Sequence, residues 1–152
     1  MEDRLFFPLF FDLSDKRALV VGGGKIAARR AKALLPFVGR LTVVTKEASD
    51  ELRALSDAGE IELLERPFAP EDLEGMFLAV CATGDEAVDD TVWRLCRERG
   101  VLVNIASDKD KCDFYFPGVA RRGSVVAGVT AGGTNHSLAR EVTEKIRKMF
   151  EE

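Results

Sequence analysis

Histidine is nearly missing from this chain: His136 is the only one among 152 residues. A metal site built from several imidazoles within one chain is therefore excluded. Cysteine is sparse too. Cys81, Cys96 and Cys112 are odd in number and show no C-x-x-C spacing. They read as free thiols of a reducing compartment, not as a disulfide frame or a zinc knuckle, and a cytoplasmic protein is expected. No apolar run approaches membrane-span length, and the start, MEDRLFF, lacks a signal peptide's basic region and long apolar core, so no membrane partner is expected. Positive charge is not in excess either. The formal net charge of −4 argues against a nucleic-acid surface. Low-complexity tracts and internal repeats are absent. What remains is the composition of a soluble globular protein, 46% hydrophobic and 32% charged, long enough for one domain with a real core.

The stretch that organises the chain is Lys16–Arg30, KRALVVGGGKIAARR. An apolar run, Ala18–Val21, meets Gly22-Gly23-Gly24, and a basic, alanine-rich helical stretch follows. As strand, turn and helix it fits G-x-G-x-x-A through Gly22, Gly24 and Ala27. Gly22 permits the sharp turn, Gly24 lets a pyrophosphate approach the backbone, and Ala27 lets the helix pack close to the strand. Free N–H groups at the helix start then face phosphates. The bland alternative is a glycine turn in an α/β core without a ligand.

Strands and helices are expected to alternate through residue 106. Strands are predicted over Arg17–Val21, Arg40–Thr45, Ile61–Glu65, Met76–Ala82 and Val101–Ala106, with helices over Lys25–Leu35, Asp50–Ala58 and Asp85–Arg99. Ser49 is a good N-cap, and Gly59 and Gly100 are good stops. The pattern predicts an α/β, Rossmann-type doubly wound parallel sheet. The aromatic start, Leu5–Leu13, reads as an arm packing Phe6, Phe7, Phe10 and Phe11 against the first strand and helix. After the charged loop Ser107–Lys111, Cys112–Pro117 reads as an extended aromatic strand. Arg121–Gly123 reads as a hairpin-like turn into Ser124–Thr130, and Asn135 as the cap of a helix over 136–152. This appended strand-and-helix unit is not another βαβ repeat.

Several stretches together resemble one family. FPLFFDLSDKRALVVGGGKIAARR, LTVVT, CATGDEAVDD and VNIASDKDKCDFYFPGVARRGSVVAGVTAGGTNHSLAR look like the precorrin-2 dehydrogenase/sirohydrochlorin ferrochelatase family, which includes the amino-terminal module of siroheme synthases. The resemblance runs from about Phe7 to Arg140. It implies an enzyme in which NAD+ takes hydride from precorrin-2 to give sirohydrochlorin, with Fe2+ or Co2+ then available for insertion into the ring. It divides the chain into an NAD-binding domain, 1–111, and an appended segment, 112–152, that carries dimerisation and part of the tetrapyrrole site. The implied cofactor residues are Gly22, Gly24, Lys25, Ile26, Ala27, Thr45, Lys46, Ala82, Thr83 and Asn104. The implied substrate residues are Asn104, Arg121, Arg122, Gly132, Gly133, Thr134, His136 and Arg140, with Arg29 and Arg30 as further partners for the macrocycle's carboxylates.

The departures from the family pattern are specific. Ser107 stands where the family carries its first acid, followed by Asp108, and Lys109 replaces the proline after the pair. Either Asp108 takes over the acid's task or Ser107 leaves the site with reduced catalysis, and the plain alternative is that Asp108 only caps the Lys109–Lys111 turn. No resident metal is expected, and His136 occupies a proline place in the GG-x-x-x segment. The residues near the end of strand two, Thr45-Lys46-Glu47, point both ways on a ribose 2′-phosphate, and NAD+ is expected over NADP+ because the family uses it. A homodimer is expected through residues after about Lys111, because Leu138, Val142, Ile146 and Met149 form a stripe with little chain left to cover it. Two other readings stay open: a dinucleotide-sensing regulatory module, and a tetrapyrrole chelatase or carrier without redox activity.

Overall fold

A computed structural model describes residues 4–132 and 134–152. The chain divides into two compact units, Asp12–Phe114, and Met1–Phe11 together with Tyr115–Glu152.

The first unit is the expected parallel sheet. Five strands, β1 (Arg17–Val21), β2 (Arg40–Thr45), β3 (Glu62–Glu65), β4 (Leu78–Cys81) and β5 (Leu102–Ile105), lie in the order β3-β2-β1-β4-β5. All neighbours are parallel, and Ala18 stands opposite Leu41 on one side and Leu78 on the other. β1 and β4 are central, which explains their near-continuous apolar sequence: Ala18–Val21 and Leu78–Cys81 are buried on both faces. Helices α1 (Lys25–Leu34), α2 (Asp50–Asp57) and α3 (Glu86–Arg99) connect the strands. α1 buries Ala27, Ala28, Ala31 and Leu34, and three of these four are alanines that allow a close approach. α3 ends at Gly100, whose left-handed backbone (φ 69°) turns its N–H back to the Cys96 carbonyl. Leu19, Val21, Ala79, Cys81, Val92, Cys96, Val103 and Ile105 form the core between sheet and α3.

Two sequence expectations are corrected. Cys112–Pro117 is not a strand; the strand lies further on, as β6 (Gly118–Arg122), paired antiparallel with β7 (Val125–Val129). Side chains at the end of β5 hold the aromatic run instead. Asp113 accepts the Val103 N–H through its carboxylate (3.0 Å) and donates its own N–H to the Val103 carbonyl (2.8 Å). Asn104 Nδ2 donates to the Phe114 carbonyl (2.9 Å), and Pro117 has no N–H with which to extend a ladder. The amino-terminal arm is also not packed as expected. Phe7 and Phe10 are 85% and 76% exposed, while the Phe6 ring meets Tyr115 edge-on at 4.5 Å.

In the second unit, α4 (His136–Glu151) packs on the β6–β7 hairpin. Thr143 is its buried residue, with its hydroxyl donated to the Ala139 carbonyl (2.7 Å). Arg147 donates to the Val119 carbonyl from Nη2 (2.8 Å) and Nε (3.2 Å). Gly118 is glycine because a Cβ there would lie 2.3 Å from Thr143 Oγ1.

Gly118→Ala is therefore expected to destabilise the protein by about 1–3 kcal/mol, the usual range for overpacking. In a Thr143→Ala background the same change should cost less than half as much. Chemical denaturation of the four proteins of this cycle measures the coupling; equal costs in both backgrounds would show that Thr143 does not set the space.

Candidate cofactor cleft and its surroundings

The chain leaves β1 through three glycines that do different things. Gly22 sits at φ 132° and donates its N–H to the Val44 carbonyl (3.0 Å); a Cβ on it would lie 2.3 Å from the Ala82 carbonyl oxygen. Gly23 is pressed from another side, where a Cβ would meet the Glu47 carbonyl oxygen at 2.1 Å and Thr45 Oγ1 at 2.4 Å. Gly24 has nothing within 4 Å of a built Cβ. It caps α1 without any side-chain hydrogen bond, and the first turn holds no acidic residue. By contrast Ser49, Asp85 and Asn135 cap α2, α3 and α4 with side-chain oxygens. The first-turn N–H groups of α1, on Lys25, Ile26 and Ala27, are thus left for an anion, at the positive end of the helix dipole.

A cavity of about 570 Å³ adjoins this turn. Gly22 and Gly23 form one wall, Thr45 and Lys46 follow β2, Thr83 follows β4, and Phe68 and Val88 supply apolar surface. β1 and β4 are where the strand order reverses, the place where open α/β sheets hold ligands. Of the expected cofactor residues, Gly22, Thr45, Lys46 and Thr83 surround the cavity, and Gly24, Lys25 and Ile26 are exposed at the start of α1. Ala27 is buried beneath the helix, and Ala82 gives its N–H to the Val21 carbonyl (2.8 Å). Thr45 Oγ1 donates to the Glu47 carbonyl (3.0 Å) and accepts the Glu47 N–H (3.3 Å), which shapes the loop against Gly23. The bare helix end, the open Gly24 and the mostly apolar cavity fit a dinucleotide, with its pyrophosphate on the amides.

Asn104 is 3% exposed, and both ends of its amide are in use: Oδ1 accepts from Arg30 Nη1, and Nδ2 holds the Phe114 carbonyl. Burial lowers the Arg30 pKa, with Cys112 opposing and Arg29 adding to the shift. Asp108 caps the short 3-10 turn over Lys109–Lys111, accepting the Asp110 N–H at 3.0 Å. Ser107, exposed after β5, donates its hydroxyl to Asp89 Oδ2 (3.3 Å). Burial pushes the Cys96 thiol up to about 12 and raises Cys81 and Cys112 as well, so these thiols stay protonated near neutrality.

The expected substrate residues of the second unit do not form one patch there. Arg122 Nη1 donates to the Glu152 carbonyl (3.2 Å), at the end of α4. Thr134, His136 and Arg140 are exposed at or near its start, about 24 Å away along a 16-residue helix. Thr134 Oγ1 donates to the Ala131 carbonyl (3.0 Å), Gly132 takes φ 70°, and Arg121 is exposed on β6. Gly133 lies outside the described residues. Sequence reasoning missed Asp89, which is 4% exposed, and Phe68. Asp89 carried a signal, since it falls on the buried stripe of α3 with Val92 and Cys96, where a carboxylate needs a reason.

Comparisons with known proteins place the chain in a family. A family described as "Putative NAD(P)-binding" matches residues 9–118. A "Probable multifunctional siroheme biosynthesis protein HemA" of Ruminiclostridium josui is 40% identical over 144 residues, covering 94% of this chain and 28% of that protein. A siroheme synthase of Zymomonas mobilis subsp. mobilis is 34% identical, over 95% of this chain and 31% of its own. The chain thus spans under a third of the length of the curated relatives it matches. Among solved structures, SirC, a precorrin-2 dehydrogenase, superposes with a TM-score of 0.79 at 28% identity, over 95% of this chain and 71% of that one.

The three glycines should separate in mutagenesis. Gly24→Ala is expected to cost less than about 1 kcal/mol of stability, as an N-cap exchange, yet to weaken NAD+ binding at least about tenfold. Gly22→Ala should instead cost about 2 kcal/mol or more, from its backbone angle and the Ala82 carbonyl. Thermal unfolding and NAD+ titration of both variants measure this; unchanged NAD+ affinity in Gly24→Ala would move the pyrophosphate elsewhere.

Proposed function

On the premise that this chain belongs to the NAD(P)-binding family, we propose that it is an enzyme of siroheme biosynthesis that oxidises precorrin-2 to sirohydrochlorin with NAD+. The observation that carries this reading is the bare amino terminus of α1, with open space over Gly24, beside a cavity at the strand ends. It occurs in a chain that shares its fold along nearly its whole length with a precorrin-2 dehydrogenase.

NAD+ supplies the hydride acceptor when bound. The amides of Lys25, Ile26 and Ala27 would hold the pyrophosphate, and Thr45 and Lys46, which line the cavity, would face a ribose there. Thr83 borders the same cavity. Asn104 acts through the backbone it holds, keeping the loop after β5 in place. Ser107 and Asp108, on that loop, are the candidate groups for the proton released with the hydride. Thr134, His136 and Arg140, near the start of α4, are the second unit's candidates to pair with the macrocycle's carboxylates, whereas Arg122 is engaged at the other end of that helix.

The protein acts as a homodimer in the cytoplasm. Support for the dimer comes from apolar surface of the second unit: Leu138 and Met149 on α4 are 48% and 55% exposed, and Leu5 and Phe7 of the arm are 97% and 85% exposed. No helix among the described residues is long and apolar enough to cross a membrane.

Anaerobic incubation with precorrin-2 and NAD+ is expected to yield sirohydrochlorin and NADH in equal amounts, with NAD+ preferred over NADP+. A protein that binds NAD+ but leaves precorrin-2 unchanged would contradict the proposal and favour dinucleotide sensing. Repeating the incubation with Fe2+ or Co2+ tests metal insertion into the product. Light scattering at micromolar concentration should give the mass of two chains; a monomer would contradict the dimer.

A further inference from the structure

Asp89 is a carboxylate buried to 4% exposure on α3, and no lysine or arginine among the described residues pairs with it. Neutral donors surround it. Thr83 Oγ1 gives its hydrogen to Oδ1 at 2.5 Å, Cys81 Sγ reaches the same oxygen at 3.1 Å, and Ser107 Oγ reaches Oδ2 at 3.3 Å. Hydroxyls and a thiol compensate a buried charge less well than a cation does. A core position on the Val92–Cys96 stripe would be better filled by an apolar residue if packing were its only task.

The placement is informative. Thr83 borders the cavity at the end of β4, and Ser107 is exposed at the end of neighbouring β5. Asp89 therefore lies one hydrogen bond behind the cavity wall and one hydrogen bond behind an exposed loop hydroxyl. Asp108, next along that loop, spends one carboxylate oxygen on the Asp110 N–H, 3.0 Å away.

We infer that Asp89 is the proton acceptor of the oxidation, acting through the hydroxyl of Ser107. The inference rests on the dehydrogenase reading above. In the step, a C–H bond of the reduced macrocycle breaks with its electron pair, which leaves as hydride to NAD+ to give NADH. A ring N–H bond of the macrocycle breaks and leaves its electron pair in the extended conjugation; that proton forms a new O–H bond at Ser107 Oγ, while the hydrogen already on that hydroxyl passes to Asp89 Oδ2. Ser107 ends as it began, Asp89 ends as the carboxylic acid, and that proton later returns to water. Thr83 fixes the carboxylate's other oxygen, so Asp89 is a positioning residue and Ser107 the group that touches substrate. Cys81, the other titratable group in contact with Asp89, is kept as a neutral thiol by burial and by Asp89 itself.

The test compares the parent with Asp89→Asn, Ser107→Ala and Asp108→Asn in single-turnover NADH formation from precorrin-2 across pH. NAD+ affinity is measured separately. The relay predicts a loss of about 100-fold or more in both Asp89→Asn and Ser107→Ala, with NAD+ affinity changed less than about threefold. It also predicts that the fall of the parent's rate on the acid side disappears in Asp89→Asn. An infrared titration of the free protein gives an independent readout: a protonated-carboxyl band, missing in Asp89→Asn, should grow in over the same pH range as that fall. Ser107→Ala, an exposed change, keeps the test valid if Asp89→Asn fails to fold. Retained rate and pH profile in Ser107→Ala would overturn the relay, as would a carboxyl band whose midpoint differs from the kinetic one. Loss confined to Asp108→Asn would give the proton to Asp108 instead. A parent protein that forms no NADH overturns the dehydrogenase reading, and the relay falls with it.

Discussion

A contact between backbones governs this molecule. The turn after β1 runs so close to the carbonyls of Ala82 and Glu47 that side chains at Gly22 and Gly23 would overlap them. The contact brings the ends of β1, β2 and β4 together and fixes where α1 begins. Larger residues would push the turn outward, part the strand ends and move the helix start away from the cavity. The cleft is thus a consequence of how tightly the central strands end, which two glycines permit.

Polar groups near that cleft are left unsatisfied in a selective way. Three helices receive side-chain caps, and α1, which starts at Gly24 beside the cavity, does not. A burden of opposite sign lies nearby, where the Asp89 carboxylate is buried with hydroxyls and a thiol as partners. Elsewhere in the same unit, charge is handled conventionally: Arg66 pairs with the mostly buried Asp72 at 2.6 Å, and Arg53 with Glu65 at 3.2 Å. An uncapped helix end and a carboxylate without a cation, both at strand ends, suit a site that binds an anion and moves a proton.

The parallel unit was legible in the sequence because each signal in it is local. Strand runs such as Arg17–Val21 and Arg40–Thr45 match residue for residue, and the caps Ser49, Asp85 and Gly100 sit at or beside the ends read for their helices. The second unit was less legible. The aromatic run Cys112–Pro117 at the boundary of the two units has strand-like composition, but its start is held on β5 through the Asp113 and Asn104 side chains, and pairing of that kind leaves no periodicity to read. The strand that does form, Gly118–Arg122, begins with glycine and ends in two arginines, so composition pointed away from it. In the cleft, G-x-G-x-x-A marked the glycine turn and the uncapped helix start, whereas Asp89 escaped because its partners lie at the ends of two different strands, Cys81 and Thr83 at β4 and Ser107 at β5. The roles of Arg122 and His136 could not be weighed from sequence, since only the folded hairpin and helix place them at opposite ends of α4.

The central claim is that the bare end of α1 is where the dinucleotide's negative charge sits. Amide NMR of the isotopically labelled protein during an NAD+ titration tests it most directly. The account predicts large, saturable shifts at the amides of Gly23, Gly24, Lys25, Ile26 and Ala27, with smaller ones at Thr45, Lys46 and Thr83. Shifts centred on the capped starts of α2 or α4, with the α1 amides unmoved, would contradict it.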